Sequence, residues 1–144
     1  MIVMIVREVM TRELVTIDPE TSCDKARRLM EDHRIRHLPV VEEGRLVGMV
    51  SDRDVRSASV HPAAVAAKIM TAWPVTVTPE TRVEHAARLM LDGRFGSLPV
   101  VAGATLAGII TYTDLLRAFM RLIDAATEER LAVDFSGGGR CETC

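Results

Sequence analysis

Apolar and polar positions follow two alternating regimes along the chain, and the sequence of regimes occurs twice. Val15 to Ile17 and Val75 to Val77 are β-branched runs, with Pro19 and Pro79 two residues further on, the pattern of a short strand entering a turn. Beyond them the period lengthens to that of a helix: Cys23, Ala26, Leu29 and Met30 in the first half, Val83, Ala86, Leu89 and Met90 in the second. Thr21 with Asp24, and Thr81 with Glu84, have the hydroxyl-x-x-acid spacing of a capping box at the start of these helices. The runs 37–41 and 46–50 are parted by polar residues with Gly44 in the turn and predict a hairpin; 97–101 and 106–110 repeat it around Gly103. A last helix is predicted from near Ser51 and again from near Thr111.

Shifting the chain by sixty residues superposes these halves without a gap. Met10-Thr11 meets Met70-Thr71, "PET" 19–21 meets 79–81, "RLM" 28–30 meets 88–90, and "LPVV" 38–41 meets 98–101. Roughly twenty identities fall in about forty-six positions, so the chain is a tandem duplication. Each unit reads strand, helix, strand, strand, helix. At about fifty residues it is too small to bury both faces of a sheet alone, so the units are expected to pack together. Between them, "HPAAVAAKIM" predicts a short linker helix with Pro62 at its first position. These limits divide the chain into 1–60, 61–122 with the linker helix, and 123–144.

Composition narrows the possible partners. The chain of 144 residues carries a net charge of -2 and only 3% aromatics, which makes nucleic acid a poor partner. The opening "MIVMIV" is cut off by Arg7 and Glu8, and no run reaches the roughly eighteen apolar residues of a membrane span. A soluble, cytoplasmic protein is expected. Three cysteines make no disulfide framework; Cys23 falls on a helix, and Cys141 and Cys144 form a CxxC in a glycine-rich tail, "DFSGGGRCETC", that reads as flexible. Two ligands do not make a zinc site, so no metal is assigned.

The chemistry worth following lies in "GMVSDRD" at 48–54 and "GIITYTD" at 108–114. Ser51 with Asp54, and Thr111 with Asp114, have capping-box spacing at a strand-to-helix junction, and a cap alone explains them. The same geometry offers free N–H groups and a hydroxyl to a phosphate, and a carboxylate to the adjacent hydroxyls of a sugar. Local chemistry leaves both readings open.

The whole constellation, both copies keeping Met-Thr, Pro-Glu-Thr, Leu-Met, Leu-Pro-Val-Val and the Gly-x-x-[Ser/Thr]-x-x-Asp end, resembles the CBS (cystathionine beta-synthase) domain over roughly residues 7 to 122. The chain is similar to a stand-alone tandem CBS-domain pair. That resemblance implies an α+β fold with two β-α-β-β-α units about a pseudo-two-fold axis and two clefts that bind adenine nucleotides in many relatives. Carried over residue by residue, it implies that Ser51 and Asp54 work with Thr71, Pro74, Val75 and Thr76. The mirror cleft pairs Thr111 and Asp114 with Thr11, Leu14, Val15 and Thr16, with Ile35 or Phe95 near the base. Because the first copy has His33, Arg36, His37 and Arg53 where the second has Gly93, Gly96, Ser97 and Thr113, the Asp54 cleft is expected to be the more cationic and the tighter one.

The resemblance further implies a regulatory, non-catalytic module that senses AMP, ADP or ATP, with no catalytic residue and magnesium left open. It is expected to act as a homodimer on an unknown effector protein. S-adenosylmethionine as the ligand and a ligand-free dimerisation module are the alternatives. An enzyme finds no support in a P-loop or a nucleophile and base set. The stripe Leu115, Leu116, Phe119, Leu122, Ile123 and Ala126 needs a cover, consistent with the homodimer.

Overall fold

The computed structural model describes residues 3–57, 61 and 63–137. In chain order it has α1 (Val6–Val9), α2 (Cys23–His33), β1 (His37–Glu42), β2 (Arg45–Ser51), α3 (Asp52–Ser57), α4 (Ala66–Ile69), β3 (Thr71–Ala72), α5 (Val83–Gly93), β4 (Ser97–Ala102), β5 (Thr105–Thr111) and α6 (Tyr112–Gly137). This is the duplicated α+β arrangement the sequence predicts. Pro62, Cys141 and Cys144 lie outside the described residues, while α6 carries four residues into the segment read as flexible, since a helix once nucleated is extended one hydrogen bond at a time.

Both hairpins form in matching register, with Val40 opposite Gly48 in one and Val100 opposite Gly108 in the other. Glu43 and Gly44 both have positive φ, the backbone a tight two-residue hairpin loop requires. The expected first strands shrink to single parallel bridges. Ile17 N–H donates to Pro39 C=O and Val41 N–H to Ile17 C=O, and Val77 makes the same pair with Pro99 and Val101. A parallel ladder would next need the N–H of Pro39 on one side and of Pro19 on the other. Neither exists, so prolines clip the ladder at both ends, and Pro79 and Pro99 do so in the second unit.

Thr21 and Thr81 do not cap helices as their spacing predicts. Their hydroxyls accept the N–H of Asp18 and Thr78 and close the proline turns. Ser22 caps α2 instead, accepting from Lys25 N–H, and the first helical N–H groups find partners on distant chain: Cys23 donates to Ala64 and Val83 to Met4.

Those distant partners come from a reciprocal exchange. The segment before each proline turn leaves its own repeat and packs on the other. Val6, fully buried, joins Val77, Ala86, Met90, Leu98 and Ile110 in the second core, and Ala66, also fully buried, joins Ile17, Ala26, Met30, Leu38 and Val50 in the first. Backbone bonds repeat the exchange: Val6 N–H to Thr81 and Ala66 N–H to Thr21. β3 then pairs with β2, Thr71 opposite Met49, and Thr11 bridges Ile109 of β5. Gly48 and Gly108 permit this approach, since a Cβ at Gly108 would lie 2.8 Å from the Thr11 carbonyl oxygen, and one at Gly48 3.1 Å from that of Thr71 and 2.3 Å from the Met70 sulfur.

The units also meet across β2 and β5 and through His37, whose Nε2 would be 2.8 Å from a Cβ at Gly96. Burial lowers the His37 pKa, partly opposed by the carboxylates of Asp52 and Asp54 and assisted by the neighbouring Arg36 cation.

Two outcomes follow from this packing. Gly108→Ala drives a methyl against a backbone oxygen, while Gly48→Ala mostly displaces a flexible methionine. Urea unfolding should therefore show Gly108→Ala costing about 1–3 kcal/mol and Gly48→Ala clearly less; the reverse order contradicts the exchange geometry. His37 resists protonation when folded, so the unfolded chain takes up the proton first as pH falls below the ordinary value of about 6.5. Stability is full above that pH and declines below it, and His37→Gln should flatten the melting temperature between about pH 7 and pH 5. Asp24, held low first by its Arg27 hydrogen bond, acts only below the ordinary carboxylate range and leaves that window clear.

Candidate functional site

Both hydroxyl-x-x-Asp motifs are reciprocal capping boxes. Ser51 N–H donates to Asp54 Oδ2 (2.8 Å) and Asp54 N–H to Ser51 Oγ (3.2 Å). Thr111 N–H donates to Asp114 Oδ2 (2.9 Å) and Asp114 N–H to Thr111 Oγ1 (3.3 Å). Capping is thus real at both junctions, and what separates them is what else surrounds the carboxylate.

Asp114 is 3% exposed and takes a further bond from the exchanged segment: Thr11 Oγ1 lies 3.1 Å from Oδ1 and 3.2 Å from Oδ2. The Thr111 hydroxyl adds a bond to Oδ2 at 3.1 Å, so one oxygen is saturated by the cap and the other keeps room for a further donor. Arg117, one turn along α6, stands 3.9 Å from Oδ1, beyond hydrogen-bond reach. Among the described residues, Thr71 makes no such bond to Asp54.

A cleft of about 440 Å³ opens beside Asp114, within the range of small-molecule sites. Its walls come from both units. Thr11, Leu14 and Val15 arrive on the exchanged segment, Ile35 and Arg36 from the α2-to-β1 turn, and Thr111 and Asp114 from the β5-to-α6 junction. Val15, Ile35, Pro39 and Ile109 give it an apolar floor, and Arg34, Arg36, His37 and Arg117 a polar rim. This arrangement suits a ligand with a flat apolar part, vicinal hydroxyls and an anionic end.

Of the residues expected here, Thr11, Leu14, Val15, Ile35, Thr111 and Asp114 are brought together. Thr16 is exposed and not part of the wall, and Phe95 packs against the second core. Arg36, expected to serve Asp54, lines the Asp114 cleft, as does His37; the turn after α2 carries them past the unit boundary. That placement removes the basis for expecting the Asp54 side to be the more cationic. Of the residues expected to work with Asp54, Arg53, Thr71, Val75 and Thr76 are exposed and Pro74 is half-buried, whereas Thr11, Leu14 and Val15 are half-buried. Glu13, Tyr112 and Arg117 were not singled out from sequence, although Arg117 follows Asp114 at helical i,i+3 spacing and so shares its face. No group of three or more potential metal ligands occurs among the described residues, and no helix among them is long and apolar enough to cross a membrane.

Comparison with known proteins fits this geometry. The family model of the CBS domain matches residues 6–61 and 65–121. The CBS domain-containing protein YhcV of Bacillus subtilis is 31% identical over 114 residues, covering 76% of this chain and 81% of its own. An inosine-5'-monophosphate dehydrogenase of Korarchaeum cryptofilum is 39% identical over 105 residues, 72% of this chain but only 22% of the dehydrogenase. Among solved structures, CBSX2 in complex with AMP superposes with a TM-score of 0.73 at 34% identity, covering 82% of this chain and 97% of that one. The CBS domain pair of MJ0100, in complex with 5'-methylthioadenosine and S-adenosyl-L-methionine, superposes at 0.77 with 28% identity and the same coverages. With both halves matched and the two-unit fold shared, the chain belongs to the CBS domain family, as a tandem pair.

Proposed function

We propose that this CBS pair is a regulatory binding module that takes an adenine nucleotide, AMP, ADP or ATP, between its units and signals by altering their packing. The observation that carries the reading is Asp114: a buried carboxylate with one oxygen fixed by its cap, facing a cleft whose walls come from both units. The partly free oxygen suits ribose hydroxyls, and the apolar floor suits the base. Support comes from CBSX2, crystallised with AMP.

Because the exchanged segment with Thr11 and the turn with Ile35 and Arg36 face one another across the cleft, a ligand touching both favours one packing over another. Differential affinity of that kind is all that coupling to a partner requires. The reading is a binding role rather than catalysis, in a cytoplasmic homodimer that covers the exposed Leu116, Phe119 and Ile123 of α6. A second reading, S-adenosylmethionine as the ligand, draws on the MJ0100 complex, which shares the adenosine part.

Calorimetric titration with AMP, ATP and S-adenosylmethionine tests this. At least one is expected to bind, to raise the melting temperature and not to be turned over. Asp114→Asn is expected to weaken binding about tenfold or more, roughly 1.4 kcal/mol, while keeping a cap. Silence with all three ligands contradicts the proposal.

A further inference from the structure

Among the described residues, the large apolar side chains left exposed on helices all belong to the second unit. α5 exposes Leu91, and α6 exposes Tyr112, Leu116, Phe119, Met120 and Ile123, with Leu131 further along. Sixty residues earlier the first unit has Glu31, Asp52 and Arg56 at the places of Leu91, Tyr112 and Leu116. Asp52 and Arg56 form an ion pair at 3.1 Å on α3, which ends at Ser57, short of the places that would answer Phe119, Met120 and Ile123.

Leu116, Phe119, Met120 and Ile123 are 48–64% exposed and fall within about 100° of arc, on the side of α6 opposite the buried Asp114 and Ala118. Taken on to Ala126, the positions 116, 119, 123 and 126 alternate steps of three and four, the spacing by which two helices pair along a seam. From Ala126 to Ala132 the helix is exposed on every side, and a stretch that short holds its helical form poorly without a neighbour to pack on.

Two features choose the neighbour and its direction. Set against the first unit of another chain, the stripe would cover Asp52 and Arg56 with apolar side chains, whereas a second copy of the stripe carries no such cost. Arg130 lies one heptad beyond Ile123, on the same line. Two helices parallel and in register bring Arg130 against its own copy. Antiparallel, with Phe119 facing Ile123, they bring Leu116 against Ala126, Arg130 level with Tyr112, and Arg117 beside Asp124 on one flank, so that each cation meets a ring or a carboxylate.

We propose that two copies of the chain pair through α6, antiparallel and second unit to second unit, residues 126–130 of each helix covering the first turn of the other. This rests on the homodimer proposed above and adds which face pairs and in which direction. Tyr112 also lines the cleft beside Asp114, so the pairing brings the partner's Arg130 to the mouth of that cleft.

Sedimentation equilibrium on the full chain is expected to show a dimer. Phe119→Glu should raise its dissociation constant roughly thirtyfold or more. Glu31→Ala and Arg56→Ala, at the matching places of the first unit, should leave it unchanged, and melting curves check that each variant folds. Direction is read by oxidative cross-linking after Cys141→Ser and Cys144→Ser, with the buried Cys23 kept. A chain carrying both Leu116→Cys and Ala126→Cys should cross-link to its partner, and a chain carrying either one alone should not. A dimer indifferent to Phe119→Glu, one broken by Arg56→Ala, no cross-link in the double variant, or a cross-link in either single variant overturns the arrangement and leaves the homodimer standing. A wild-type chain that stays monomeric sinks the homodimer itself, and the arrangement with it.

Discussion

The exchange of Val6 and Ala66 between the two cores is the contact on which the rest depends. Each is a small apolar side chain, fully buried in the unit its own repeat does not build, and burying a valine side chain stabilises by about 1.5–3 kcal/mol. The backbone that follows each anchor then has little freedom. Met10 and Met70 lie over Gly108 and Gly48, and Thr11 is delivered to the edge of β5, beside Asp114. Neither unit completes its sheet or its core alone. The cleft is a by-product of that incompleteness, because the segment crossing over supplies one wall and the junction it crosses to supplies the other.

Prolines set how much sheet there is. Ile17 and Val77 each make one bridge and no more, since the residues that would extend the ladder, Pro19 and Pro39, Pro79 and Pro99, have no N–H to give. The consequence reaches the site. Residues 12 to 16, released from a ladder, run as irregular chain, and Glu13, Leu14 and Val15 among them line the cleft, where they can face a ligand instead of a neighbouring strand. The same "LPVV" that marks the repeat in sequence is what keeps this wall open.

Much of this was legible beforehand. Local signals carry the hairpins, the faces of α2 and α5 and both Asp-terminated capping boxes, because each depends on neighbours a few residues away. The sixty-residue period carries the pairing of the units. What sequence could not assign was partnership at longer range. Val6 and Ala66 sit in like contexts before their proline turns, and nothing local says which core each enters. Thr21 has the spacing of a cap, yet its hydroxyl is taken by the turn at Asp18, leaving Ser22 to cap α2. Arg36 belongs by sequence to the repeat that ends in Asp54, and only the path of the turn after α2 places it beside Asp114.

The two Asp motifs show how one local device can serve differently. Both carboxylates spend an oxygen on the N–H three residues before, and the backbone N–H of each aspartate donates in return to the hydroxyl at the helix start. At 51–54 the arrangement ends there, with the carboxylate half-buried. At 111–114 the Thr11 hydroxyl fixes the carboxylate from a second direction and the surrounding chain shuts out water, so a charge that only caps a helix at one site becomes an oriented, poorly screened acceptor at the other. Capping and binding are therefore not rival explanations of Asp114. The cap fixes the side-chain torsions, and a carboxylate with fixed torsions loses less entropy when a sugar hydroxyl arrives. The difference between the halves lies in the segment that crosses to meet each motif, not in the motif itself.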